Sequence, residues 1–66
     1  MSQPDPKLLT TAIDVIERWH RTCRRYDLGN ASGADMSLAR EDADRALKRA
    51  ADAGHDITDL RKENDL

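Results

Sequence analysis

The chain has 66 residues, a single cysteine and a formal net charge of −2, with acids and bases together making up 36% of it. That length allows one domain, the lone cysteine excludes an internal disulfide, and the near balance of charge argues against a surface that attracts nucleic acid all over. A core this small supplies only ~3–5 kcal/mol, so with disulfides excluded, association with a partner is the expected staple.

Residues 1–5 read as a tail. The opening MSQPDPK has neither the basic region nor the apolar stretch of an export signal. No apolar run approaches the ~20 residues a membrane span requires. With a lone cysteine, which suits a reducing compartment, a cytoplasmic location away from membranes is expected.

Asp5-Pro6 opens the first helix, because Asp is a good N-cap and Pro is favoured at the first helical position. The helix is expected over 6–28, stopped by Gly29. At 100° per residue, Leu8, Leu9, Ala12, Ile13, Val15, Ile16, Trp19, Cys23 and Tyr26 share one arc. Within it, Leu9, Ala12, Ile16, Trp19, Cys23 and Tyr26 alternate spacings of three and four, a heptad-like seam. Lys7, Asp14, Glu17 and the arginines at 18, 21, 24 and 25 fall outside it.

Residues 29–36 read as a loop. Ser37 is the expected N-cap of a second helix over 37–53, stopped by Gly54. Its apolar arc, Met36, Ala39, Ala43, Ala46, Leu47, Ala50 and Ala53, is mostly alanine, which lets a helix with large side chains approach closely. At a rise of ~1.5 Å per residue, helix 1 would overhang helix 2 by about two turns. Residues 54–66 form a C-terminal segment with a short helix expected over 58–64, capped by Asp56 or Thr58. Ile57 and Leu60 are expected to fold back over Leu8, Leu9 and Ile13 at the overhang. The fold class is therefore all-α: an antiparallel hairpin of a long helix and a shorter, alanine-rich one, with a short C-terminal turn or helix, pairing into a bundle.

The stretch ERWHRTCRRYD, residues 17–27, looks most like a site. Helical placement separates its aromatics from its arginines, whereas a single-strand binder sets stacking platforms beside its basic groove. Asp14–Arg18 and Glu17–Arg21 have the spacing of helical ion pairs, which turns part of the basic face into a mixed one. Arg24 and Arg25 suit the negative end of the helix dipole. His20 and Cys23 share a face, but the four ligands of a zinc site are not assembled by any spacing here. A Cys–His nucleophile lacks an orienting third group. The glycines of GNASGAD match neither a phosphate loop nor a calcium loop. Ala50, Gly54 and Leu60 have the spacing of a helix-turn-helix, but the would-be recognition segment TDLRKENDL is rich in carboxylates that phosphate would repel.

These features point to a small non-enzymatic interaction module, a regulator, adaptor or inhibitor that needs no cofactor. Ile16, Trp19, Cys23, Tyr26 and Leu47 are its expected protein interface. The partner is a second copy, in a two-fold four-helix bundle, or a larger protein. The alternative is a nucleic-acid-associated regulator with Arg18, Arg21, Arg24 and Arg25 on phosphates. The third reading is a Cys/His metal or redox centre.

Overall fold

The computed structural model describes residues 5–66. Three helices follow one another, α1 (Pro6–Asp27), α2 (Gly33–Asp52) and α3 (Thr58–Glu63), with no strand among the described residues. α1 and α2 pack side by side as the expected hairpin.

α1 begins where Asp5-Pro6 places it. The Asp5 carboxylate accepts a 2.9 Å bond from the Lys7 amide, and Pro6 takes the position whose N–H has no helical partner. At the other end Gly29 has φ 79°, and its amide and that of Asn30 donate back to Tyr26 and Arg25 carbonyls. A β-carbon is disfavoured in that left-handed turn, so glycine stops the helix.

α2 starts four residues earlier than expected. Its N-cap is Ser32, not Ser37: the Asp35 amide donates to Ser32 Oγ at 3.1 Å, and the Ser32 amide donates to Asp35 Oδ2 at 3.1 Å. This reciprocal box satisfies two orphan donors at once. It outweighs the poor helix propensity of Gly33, which lies inside the helix. The loop therefore shrinks to residues 28–32, and helices of 22 and 20 residues are nearly matched in length. The two-turn overhang does not exist. Gly54, with φ 103°, ends α2 as expected, and the His55 amide reaches back to the Ala50 carbonyl.

The core is one cluster of Ala12 and Ile16 from α1, Ala43, Leu47 and Ala50 from α2, and Ile57 from the segment that follows. The alanines let the long helices meet closely, and among the described residues Leu47 is the only large side chain fully buried. Because there is no overhang, the C-terminal segment crosses the seam between the helices instead of capping one end. His55 Nε2–H donates to the Asp5 carbonyl at the start of α1, and nine residues later Asn64 is bonded to His20, about two-thirds of the way along it. α3 thus runs beside α1 in the same direction. Ile57 is buried and Leu60 packs on the core; Leu8 also reaches the core, but Ile13 stays 40% exposed. So Ile57 and Leu60 cover Ile16 and Leu47 rather than closing over Ile13.

α3 is held by side chains. None of its Cα atoms comes within 8 Å of a Cα in either long helix. Asn64 Nδ2 donates to the Leu60 carbonyl at 2.8 Å, and its Oδ1 accepts from His20 Nε2–H at 2.7 Å. Arg61 donates to Asp44 Oδ1 on α2 at 2.9 Å and to the Leu66 main-chain oxygen at 3.1 Å. Asp65, with φ 56°, makes the left-handed turn that returns the Leu66 amide to the Arg61 carbonyl and sets its side chain on the core.

Three aspartates in these connections sit below the ordinary carboxylate value of 3.8. The Arg61 hydrogen bond, then that of Lys48, lowers Asp44; the Ser32 amide lowers Asp35; the Thr58 amide lowers Asp56. As pH falls, the unfolded chain binds protons at these groups before the folded one does. Their contribution is complete above the ordinary value and is lost as pH drops through it toward the lower folded values. The urea midpoint is therefore expected to hold from neutral pH to about 5 and to fall below about 4. Asp44→Asn should lower the neutral-pH midpoint and flatten the acid limb. A midpoint that rises in acid would contradict the sign.

Candidate functional site

The expected interface residues separate into two groups. Ile16 is 4% exposed and Leu47 is fully buried, both inside the core beneath Ile57 and Leu60. The chain's own C-terminal segment occupies the place expected for a partner there. Ile16 and Leu47 are therefore corrected from interface to core. Trp19 is half-buried against the core and lies over the His20 ring, with centroids 4.9 Å apart. Cys23 is half-buried and free, and Tyr26 is exposed. These three lie at or beyond the level where α3 stops beside His20.

Other large apolar side chains are more open. Leu28 in the loop is 76% exposed and Leu38 on α2 is 59% exposed. Neither was expected. Leu38 lies off the alanine arc of α2, which is the signal that marks it, since an isolated leucine on the polar side of a helix has no core to join.

The four arginines lie on one arc of α1 but border different cavities. Arg18 and Arg25 border an open groove of about 510 Å³ between the long helices, with Asp35 and Asp42 of α2 on its other side and Val15, Leu38 and Ala39 along it. Arg21 and Arg24 border a separate depression next to it, with Glu17 and His20. Among the described residues none of the four reaches a carboxylate within salt-bridge distance; the ion pairs are Arg45–Asp42, Lys48–Asp44 and Arg61–Asp44. The helical pairs expected for Arg18 and Arg21 are therefore open. Arg25 has Asp35 of α2 close enough for its charge to help lower that carboxyl. Its guanidinium donates to the Asn30 carbonyl at 3.4 Å, a use consistent with closing the helix end.

Both histidines are engaged in holding the fold, His20 on Asn64 and His55 on Asp5. Among the described residues no three side chains of His, Cys, Asp or Glu converge as metal ligands do. Of the two basic residues on α3, the would-be recognition segment, Arg61 is tied to Asp44 and only 29% exposed, while Lys62 is exposed. Among the described residues no helix is long and apolar enough to cross a membrane.

What this arrangement can do is present surface. A flat hairpin, covered on one face by α3, leaves apolar side chains at the loop end and a charged groove on the other face. No family model matches the chain, and no curated protein or solved structure is significantly similar to it.

Proposed function

We propose that the protein is a small non-enzymatic interaction module that works in the cytoplasm by binding another macromolecule, as a regulator, adaptor or inhibitor. The observation that carries this reading is the set of large apolar side chains left outside the core. Leu28, Leu38, Tyr26 and Ile13 are all exposed, in a chain whose fully buried large residues come down to Leu47. A monomer gains nothing from that exposure, and a partner that covered these side chains would remove apolar surface from water. The partner is a second copy or another protein, with Trp19, Cys23 and Tyr26 as contacts.

A nucleic-acid partner is supported less. Phosphate contacts by Arg18 and Arg25 would bring the backbone toward Asp35 and Asp42, and Arg21 and Arg24 have the Glu17 carboxylate beside them.

The test is capture of partners from the source cell's lysate on the immobilised protein, with and without nuclease, read by mass spectrometry. A defined protein that survives nuclease and is lost with Tyr26→Ala or Leu38→Ala is the expected result. Recovery only of nucleic-acid proteins that vanish with nuclease, and with Arg21→Gln/Arg24→Gln/Arg25→Gln, would overturn it in favour of the arginine surface.

A further inference from the structure

We propose that a second copy of this chain docks on the groove face of the hairpin, with the two-fold axis parallel to the long helices, so that α1 of each copy lies against α2 of the other. The proposal rests on the interaction reading above and names the partner and the surface.

The face is free of α3. On α1, His20 holds the C-terminal segment and Arg18 borders the groove; on α2, Asp44 holds it and Asp42 borders the groove. The members of each pair are two positions apart in a helix of 3.6 residues per turn, which places them about 200° apart. α3 and the groove therefore occupy opposite faces. The groove continues toward the far end of the hairpin along Leu8, Val15 and Ala46, all half-buried.

Charge selects the occupant and its orientation. α1 offers Arg18 and Arg25 to the groove; α2 offers Asp42 and Asp35 at the matching levels, since all four line the same cavity. Within one chain neither arginine closes onto a carboxylate. A two-fold axis along the helices preserves height. It sets Arg18 of one copy opposite Asp42 of the other, and Arg25 opposite Asp35, each pairing occurring twice because the contact is isologous. Exposed Leu38 then faces the other copy's α1 near the groove centre and loses its water. An axis across the helices would instead set α1 against α1 and arginine near arginine, which opposes association. The result is a four-helix bundle in which every neighbouring pair is antiparallel.

Size is sufficient for a modest affinity. Helices of 20 residues or more, two abreast, make a face about 30 Å by 20 Å. Two such faces bury on the order of 1,000 Å², the lower bound for a specific interface.

The experiment uses the full chain in sedimentation velocity over a range of concentrations, with Arg18→Glu, Asp42→Lys and their equimolar mixture. Asp35 is left intact because it caps α2. Wild type is expected to pass from monomer to dimer as concentration rises. Each single variant places like charges face to face twice, and should dimerise more than about tenfold more weakly while keeping wild-type helicity by circular dichroism. The mixture should recover dimer with one copy of each, because acid and base are then exchanged across one contact and native across the other. A wild type that stays monomeric throughout overturns the proposal, and so does a mixture no more associated than its components. If capture from lysate still yields a nuclease-resistant protein in either case, only the second-copy inference falls; if that also fails, the interaction reading falls with it.

Discussion

Leu47→Ala is expected to unfold most of the protein at room temperature. Leu47 is fully buried in the core cluster it shares with Ala12 and Ile16 of α1 and Ile57 of the returning segment. Truncating a buried leucine costs about 2–5 kcal/mol, part lost transfer energy and part cavity. A core of this size supplies only ~3–5 kcal/mol in all. Its neighbours are mostly alanines, which have no rotamers with which to fill the gap, so the cost should lie in the upper part of the range. Urea titration followed by circular dichroism measures it, with Leu38→Ala as the control. Leu38 is 59% exposed, and its removal should shift stability within about 0.5 kcal/mol. Equal effects from the two variants would mean that the helices do not meet about Leu47.

The second large effect is expected from a chain shortened to end at Asp56. This removes Ile57, Leu60 and Leu66 from the core, together with the Arg61–Asp44 and His20–Asn64 bonds. Losing the buried isoleucine alone is worth about 2–5 kcal/mol, so the shortened chain should not keep a cooperative monomeric fold. Ile16 and Leu47 would then be open along the seam, and two such hairpins could cover one another. Loss of helicity at low protein concentration, regained with self-association at high concentration, is the expected result. A helical monomer with an undiminished urea midpoint would show that the C-terminal segment is not part of the core. Arg61→Ala should reproduce only a small fraction of the loss, since pairs this exposed are worth about 0–1 kcal/mol.

Much of the interface expected from sequence rests on this one contact. The heptad-like seam was legible, and so was its need for a cover, but the cover is the chain itself. Ile57, Leu60 and Leu66 are too sparse to announce a helix by periodicity, and their docking depends on Asn64, Arg61 and Asp65 meeting partners far away in sequence. The start of α2 was legible in principle, as Ser32-Gly-Ala-Asp35 has the spacing of a capping box. Two glycines in the surrounding stretch masked it, and moving that start changed the relative lengths of the helices and thus the path of the C-terminal segment.

Local chemistry determined the elements themselves. Asp5-Pro6 starts α1, Gly29 and Gly54 stop the long helices, and the apolar spacing decides which sides of them turn inward. These are short-range effects of capping, left-handed turns and helical period, complete within a few residues, and a sequence carries them openly. The tertiary structure decided the rest: that Ile16 and Leu47 are buried in the chain's own core, and that Arg18 and Arg25 face Asp42 and Asp35. Each of these depends on which residues of different helices lie at the same height. That register follows from where α2 begins and how closely its alanines let α1 approach, and it appears only when the helices are packed together.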